Sequence, residues 1–143
     1  MAITLCCRVA RAVVADGDGK PAVTDFKVLA TSSVNFEHYE ISPCSEEKIG
    51  NGDIPESCSL IQCEPQTGRT HQIRVHCQFS GQAIAGDPKY GDAVFNQNMR
   101  ELGLKRLFLH ANSLAFIHPI SGERLSVDAP LATDLKNLLD KLK

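Results

Sequence analysis

The chain has 143 residues, of which 43% are hydrophobic and 22% are charged, and its formal net charge is −2. These values are close to the average of soluble globular proteins, and they predict one domain, residues 1–143, built around one core. No run approaches the ~20 apolar residues of a membrane span. Residues 1–14 contain two arginines where a signal peptide has an apolar centre. We therefore expect a soluble, intracellular protein without a membrane partner.

Three strands are predicted in the first part of the chain. Apolar residues alternate with other residues over 3–9 and again over 22–31, and a strong turn signal, Asp-Gly-Asp-Gly at 16–19, separates the two runs. This pattern predicts a β-hairpin. Residues 44–57 contain four acidic residues, two glycines and a proline without any period, which predicts an exposed loop. A third strand is predicted over residues 59–64.

A basic helix is predicted over residues 69–80. From Gln66 to Gln82 the sequence contains Arg69 and Arg74 but no acidic residue, although the whole chain has 17 acidic and 15 basic residues. An ordinary solvated helix, which is the alternative interpretation, would mix acidic with basic side chains. The segment is therefore a local basic patch in a mildly acidic protein.

The apolar residues of this helix fall on two flanks. At about 100° per residue, Ile73 and Cys77 lie on one flank, Val75 and Phe79 lie on the opposite flank, and the polar residues lie between them. Two flanks predict contacts on both sides of the helix. Some of the polar side chains are then expected to be partly buried, where each needs a hydrogen-bond partner.

Two further helices and a hairpin are predicted downstream. Residues 93–102 predict a short helix, and residues 107–117 and 124–128 predict strands joined by a turn. Leucines recur at i, i+4, i+7, i+8 and i+11 from Leu131, after Pro130, which predicts a C-terminal amphipathic helix with proline in its first turn and a buried leucine stripe. Together the elements predict an α+β fold with a mixed, largely antiparallel sheet and flanking helices.

Two motifs point to a known family. The string TGRTHQIRVH at residues 67–76 and the string GDPKYG at residues 86–91 closely resemble the C-terminal half of the catalytic domain of RluA-type RNA pseudouridine synthases. Supporting matches occur in the right order at residues 20–29, 109–111, 116–119 and 128–131. A ten-residue string with matches on both sides is far more specific than a lone glycine motif.

The resemblance implies a fold and an activity. Proteins of this family isomerise uridine to pseudouridine in ribosomal or transfer RNA, with an aspartate and without a cofactor. They carry that aspartate in an H-R-L-D-type segment and a later tyrosine in a Tyr-x-Ala strand, and neither string occurs in this chain. The resemblance therefore implies the C-terminal part of a catalytic domain, or a shortened relative, that is inactive by itself and has RNA as its partner.

Arg74 is the catalytic-site residue that the resemblance implies. In the family, the arginine after His-Gln-Ile or His-Gln-Leu is the charge partner of the catalytic aspartate, and such a partner lowers the pKa of a carboxyl group. Arg69, His71 and Gln72 are expected to contact RNA phosphates or the extruded nucleotide. Two alternative interpretations remain: Arg74 could form a purely structural ion pair, and His71 and His76 could have local hydrogen-bonding roles.

Other chemically reactive side chains are expected to serve the structure. Asp87 and Tyr90 in the GDPKYG motif predict turn or capping roles, and His110 and His118 are expected to fix local structure. The six cysteines contain no C-x-x-C pair. They predict buried, reduced thiols instead of a zinc site or a disulfide framework, so no metal is expected.

Two other functions stay open. A chain with this fold but without the aspartate segment would be an inactive RNA-binding module, which at a net charge of −2 would depend on its local basic patch. An unrelated small-molecule enzyme or structural domain is the other alternative, and the length and order of the match argue against it. Half of a catalytic domain would also expose a sheet edge, which would allow self-association.

Overall fold

The computed structural model describes residues 1–6, 20–34 and 56–142. In chain order the elements are β1 (Ala2–Cys6), β2 (Thr24–Val34), β3 (Glu56–Pro65), α1 (Gln72–Phe79), α2 (Ala93–Glu101), β4 (Leu109–Ala111), β5 (Ser113–Ile117), β6 (Arg124–Asp128) and α3 (Thr133–Lys141). Helices and antiparallel strands are both present, which confirms the predicted α+β class. Among the described residues, no helix combines the length and the apolar composition needed to cross a membrane.

The main sheet has four strands in the order β2-β3-β1-β4. Every pairing in it is antiparallel. The strands predicted over 22–31 and 59–64 are confirmed, but the predicted hairpin between the first two strands is wrong. Alternation identifies a strand without identifying its partner, and β1 has β3 on one edge and β4 on the other, so β2 cannot pair with it. The turn predicted at 16–19 lies outside the described residues, as does the loop predicted at 44–57 apart from Glu56 and Ser57, which begin β3.

In the described part of the chain, two hydrophobic clusters form the core. In the larger one, α2 and α3 pack with the segment before β4, and its buried members are Cys58, Ala85, Phe95, Met99, Leu104, Phe108, Leu135, Leu138 and Leu142. The predicted leucine stripe of the last helix is therefore confirmed. The helix itself begins at Thr133, so Pro130 precedes it and is not in its first turn. The smaller cluster joins α1 to β3 through Ile61, Cys63, Cys77 and Ile84.

The hairpin of β5 and β6 is a separate two-stranded sheet. It confirms the predicted pairing around residues 118–122, but the strand predicted over 107–117 breaks at Asn112. The Asn112 amide nitrogen donates to the Met1 carbonyl oxygen at 3.0 Å, and its carbonyl oxygen accepts from the Ala129 amide nitrogen at 2.7 Å. These hydrogen bonds lie outside the pairings of both sheets. The chain therefore passes from the main sheet to the hairpin at this residue.

Candidate functional site

Gln72 fastens the start of α1 to β2. Its Oε1 accepts hydrogen bonds from the Thr67 hydroxyl at 2.7 Å and from the Arg69 amide at 3.0 Å, while its Nε2 donates to the Val23 carbonyl oxygen at 2.8 Å and to the Thr24 hydroxyl at 3.0 Å. A primary amide has two donor hydrogens and one carbonyl oxygen that accepts about two bonds, so this buried side chain is fully used within the chain. Gln72 therefore shapes the loop before the helix.

His76 lies one turn further along α1 and is also buried. Its Nδ1 lies 2.9 Å from the Thr24 hydroxyl oxygen. Burial disfavours the charged imidazolium and lowers the pKa of His76 below its usual 6.5. The local hydrogen-bonding role that the sequence left open for this residue is thus present, and the predicted need of buried polar groups for partners is confirmed at Gln72 and His76.

The helix begins three residues later than predicted because of His71. This residue precedes α1 and has φ 51° and ψ 27°, in the left-handed region, so the backbone cannot be helical there. His71 is exposed, and its Nδ1 lies 3.2 Å from the Tyr90 hydroxyl oxygen. Arg69 is also exposed, with its Nε 3.4 Å from the Pro21 carbonyl oxygen. Both side chains therefore remain on the surface next to the start of α1.

Only one of the two apolar flanks of α1 is buried. Cys77 is 2% exposed and Ile73 packs against the smaller core cluster. Val75 and Phe79 are 37% and 68% exposed, so the second flank, which was also predicted to be covered, faces solvent among the described residues.

Arg74 forms a two-pronged ion pair with Asp87. Its Nε and Nη2 donate to the two carboxylate oxygens, each at 2.8 Å, and the Asp87 side chain is 1% exposed while that of Arg74 is 16% exposed. Oδ1 of Asp87 also accepts from the amide nitrogens of Lys89 and Tyr90, both at 2.9 Å. The predicted turn role of Asp87 is confirmed, and the ion pair that was left open for Arg74 is formed with an acid of the GDPKYG motif.

The hydrogen bonds to Asp87 outweigh the effect of its burial. Burial alone raises the pKa of this carboxyl group, but bonds from the Arg74 guanidinium and from two backbone N–H groups favour the ionised form and hold its pKa at about 2. Asp87 is therefore ionised at neutral pH, and its carboxylate oxygens accept four hydrogen bonds within the chain. This arrangement orients the guanidinium but leaves the carboxylate unsuited to attack a substrate.

Asn96 of α2 holds the loop that carries Asp87. Its Oδ1 accepts from the Gly86 amide at 2.7 Å, and its Nδ2 donates to the Asp87 carbonyl oxygen at 2.9 Å. Gly86 has φ +74°, and a Cβ at this position would lie 2.3 Å from the Arg106 carbonyl oxygen. A Cβ at Gly91 would lie 2.2 Å from the Asp87 carbonyl oxygen. The loop therefore requires glycine at both ends.

Tyr90 completes the contacts of Arg74. The Cζ atom of Arg74 lies 5.0 Å from the centroid of the Tyr90 ring, and the Nζ of Lys89 lies 5.1 Å from the same centroid. Cations at this distance from an aromatic face are attracted by the ring quadrupole. We call Arg74, Asp87, Tyr90 and Asn96 the clamp. Sequence reasoning assigned Asp87 only to a turn and missed Asn96, which belongs to neither family motif.

A cleft of about 400 Å³ opens beside the clamp. Arg74, Arg100, Lys105 and Arg106 contribute to its walls, together with apolar residues that include Leu104 and Leu107. We call it the basic cleft. Arg74 is thus fixed in direction by the clamp and lines an open cavity.

The described residues contain buried cysteines and no metal-binding cluster. No group of three or more His, Cys, Asp or Glu residues there could hold a metal ion. Cys58, Cys63 and Cys77 are buried thiols, as predicted for these positions. Burial, and secondarily the neighbouring Cys77, raises the pKa of Cys63 to about 12, so its thiol stays protonated.

His110 and His118 make local contacts, as predicted. Nε2 of His110 lies 3.0 Å from the Ala129 carbonyl oxygen. Nδ1 of His118 accepts from the amide nitrogens of Ile120 and Ser121 at 3.3 and 3.1 Å, within the turn between β5 and β6.

Comparison with known proteins yields consistent matches. The family model described as RNA pseudouridylate synthase matches residues 7–79. Ribosomal large subunit pseudouridine synthase C of Pasteurella multocida is 48% identical over 99 residues, which cover 69% of this chain and 30% of that protein. The protein of the same name from Escherichia coli K12 is 41% identical over 128 residues, 88% of this chain and 33% of that protein. The chain thus spans about a third of the length of these curated relatives.

Solved structures with a similar fold carry related names. Human RNA Pseudouridylate Synthase Domain Containing 1 superposes with a TM-score of 0.63 at 22% identity, over 96% of this chain and 57% of that one. Human RNA Pseudouridylate Synthase Domain Containing 4 gives 0.62 at 23% identity, over 99% and 60%. At these identities the two structures establish the similarity of fold.

Proposed function

This chain belongs to the RNA pseudouridylate synthase family, and on that premise we propose that it supplies the arginine-bearing part of a site that isomerises uridine to pseudouridine in RNA. The curated relatives are named for the large ribosomal subunit. Those names favour ribosomal RNA over transfer RNA as the substrate. Because the chain spans about a third of these relatives, the complete reaction is proposed for this region together with further polypeptide.

The fixed direction of Arg74 is the observation that carries the proposal. The isomerisation breaks the bond between N1 of uracil and C1′ of ribose, rotates the base, joins C5 to C1′, and exchanges the hydrogen on C5 for one on N1. The aspartate that the family uses must stay ionised next to an anionic RNA, and a guanidinium beside it lowers its pKa. Arg74 uses Nε and one donor of Nη2 on Asp87, so the N–H groups of Nη1 remain chemically suited to a second carboxylate.

Asp87 is not proposed as the nucleophile. Its side chain is 1% exposed and accepts four hydrogen bonds, and its pKa of about 2 reflects a strongly stabilised anion. A carboxylate stabilised in this way is a weak nucleophile. Asp87 is better suited to hold Arg74 in position for another acid.

That other acid is proposed to come from polypeptide outside this sequence. The H-R-L-D-type string of the family does not occur among the 143 residues. We therefore propose that the chain alone binds RNA without converting uridine. The same fact supports the second candidate function, an RNA-binding module that does not catalyse the reaction.

The RNA contacts are proposed for the surface next to α1. Arg69 and His71 are exposed beside the start of this helix, where an arginine and an imidazole can meet phosphates or the target base. Gln72, which was also expected to touch RNA, is proposed to act through the loop, because its amide is already bonded to four groups of the chain.

A complementation assay tests this function. The chain is incubated with uridine-containing RNA, alone and with a polypeptide that carries the H-R-L-D-type segment of a relative, and pseudouridine is quantified by mass spectrometry after chemical labelling. We expect product only from the mixture. Arg74→Lys keeps the charge but loses the planar fork, so it should lower turnover by roughly 10²–10³-fold, as does the loss of one preorganised donor elsewhere. Arg124→Lys, in the exposed β6, is the matched control.

Each outcome of this assay separates the alternatives. Product from the chain alone would show that an acid within it is the nucleophile. Absence of product from the mixture, with RNA binding intact, would favour the binding module. Unchanged turnover of Arg74→Lys would reduce Arg74 to a structural residue.

A further inference from the structure

The basic cleft collects cations from three separate parts of the chain. Arg74 comes from α1, Arg100 from the last turn of α2, and Lys105 and Arg106 from the segment that leads to β4. No carboxylate is among its lining residues in the ranges that the structure describes. The whole chain has a net charge of −2, so this concentration of positive charge is local.

Two of these cations are neutralised by acids outside the lining. Arg74 is paired with the buried Asp87. Arg106 is paired with Asp134 at 2.8 Å, but both side chains are largely exposed, and such pairs are weak. Arg106 can therefore give up Asp134 for a phosphate group with little loss of free energy.

Among residues 1–6, 20–34 and 56–142, the two ion pairs involve Arg74 and Arg106, and no acidic side chain pairs with Arg100 or Lys105. Nη1 of Arg100 donates to Oε1 of Gln97 at 2.9 Å, which is a neutral acceptor that orients the guanidinium without cancelling its charge. Lys105 is exposed at the rim. Arg100 and Lys105 therefore give the cleft its uncompensated positive charge.

We propose that the basic cleft binds a phosphodiester group of the RNA, held by Arg100 and Lys105, beside the nucleotide that reaches Arg74. This inference rests on the proposed function and adds a second contact surface to Arg69 and His71. A volume of about 400 Å³ is large enough for one nucleotide unit. Pro88, Leu104 and Leu107 provide apolar wall surface for a ribose, while the planar fork of Arg100 matches the geometry of phosphate oxygens.

Salt dependence of RNA binding by the whole chain tests the inference. The Kd for a fluorescently labelled single-stranded RNA is measured by anisotropy from about 50 to 200 mM salt, the range over which released counterions dominate. Arg100→Gln and Lys105→Gln should each reduce the slope of log K against log [salt] by about 0.7, and the double variant by about twice that amount. Arg124→Gln removes an exposed cation far from the cleft in sequence and outside its lining, and it should leave the slope nearly unchanged. Thermal melts establish that each variant is folded.

The results either support or overturn the phosphate site. Slopes unchanged in the double variant, or lowered equally by Arg124→Gln, overturn it, as does a wild-type chain that does not bind RNA. An acidic peptide of matched charge that competes as well as RNA, and loses this ability in the double variant, assigns the cleft to a protein segment instead. The complementation assay, repeated with the double variant, separates this inference from the proposed function. If the double variant forms product with an unchanged KM, only the cleft proposal is contradicted. If the double variant lowers the slope of log K against log [salt] but no mixture forms product, only the proposed function is contradicted.

Discussion

The clamp and the β5–β6 hairpin are organised in opposite ways. In the clamp, the charged Asp87 is buried, and hydrogen bonds from Arg74 and the backbone satisfy its carboxylate. In the hairpin, apolar side chains such as Leu114, Ile120 and Val127 are 62%, 91% and 58% exposed. The hairpin is held by backbone hydrogen bonds, which do not depend on the identity of its side chains. The clamp is held by hydrogen bonds of particular side chains, which other residue types cannot form in the same way. Substitutions should therefore have large effects in the clamp and small effects in the hairpin.

The largest effect is expected from Asp87→Ala. Removal of this carboxylate leaves the largely buried Arg74 guanidinium and two backbone N–H groups without their acceptor, and the loss of one partner from a buried ion pair costs about 3–5 kcal/mol. The free energy of unfolding, measured in urea, should fall by about that amount. Asp134→Ala removes the acid of an exposed ion pair and should change stability very little. Equal losses from the two substitutions would show that burial of the pair is unimportant.

The same carboxylate should make the protein sensitive to strong acid. The pKa of Asp87 is about 2 in the folded protein and lies near 3.8 in the unfolded chain. The unfolded chain therefore takes up the proton first as pH falls. The stability contributed by Asp87 is complete above pH 3.8 and is lost as pH falls through about 2. Acid titrations followed by circular dichroism should show this loss in the wild type and a smaller one in Asp87→Asn.

Gly86→Ala should be nearly as damaging as the loss of Asp87. Alanine at φ +74° costs about 1–2 kcal/mol for the left-handed backbone, and overlap of its Cβ with the Arg106 carbonyl oxygen adds about 1–3 kcal/mol. Gly81→Ala is a close control, because Gly81 has φ +71° and open space around the new Cβ. Only the first cost of about 1–2 kcal/mol is expected there. If urea unfolding gives the same loss for both, the close approach at Gly86 has no energetic consequence.

A milder effect is expected from the protonation of His76. Its folded-state pKa lies below the usual 6.5, so the unfolded state binds the proton first as pH falls. Stability should be complete above about pH 6.5 and should decrease as pH falls from there through the lower folded-state pKa. His76→Gln removes this titration, so unfolding curves measured at successive pH values should show a shallower decline. A decline as steep as in the wild type would mean that other groups cause it.

The smallest effect is expected in the hairpin. Ile120→Ser replaces a side chain that is 91% exposed, and substitutions at such positions usually change stability by less than about 0.5 kcal/mol. A loss above about 1 kcal/mol in urea unfolding would indicate that this side chain is buried in solution, for example by another copy of the chain. Self-association, which the sequence allowed through a sheet edge, would then involve the hairpin. Sedimentation velocity of the wild type and the variant would distinguish these cases.

Local patterns were sufficient to predict many of the elements. The leucine spacing identified α3, because a stripe at helical period has to be buried, and the turn around His118 identified the β5–β6 hairpin. Apolar spacing alone did not reveal which flank of α1 is buried, since that depends on whether other elements cover Val75 and Phe79. Burial is a property of the whole fold.

Long-range partners were the part that the sequence could not supply. The family motif directed attention to Arg74, but the position of Asp87 opposite it depends on how the GDPKYG loop returns to α1. The role of Asn96 is still less visible, because an asparagine in an amphipathic helix looks like any surface residue. Similarly, no local pattern indicates that β1 lies between β3 and β4.

The central position of β1 has a consequence for how the protein acquires its shape. Ala2 pairs with Cys63 on one side and with Ala111 on the other. During synthesis, β1 must therefore wait until both β3 and β4 have left the ribosome before both of its edges are covered. Sheets closed by such distant contacts form slowly, and their uncovered strands are prone to aggregate in the meantime. Slow refolding and a need for chaperones during expression are the expected practical outcomes.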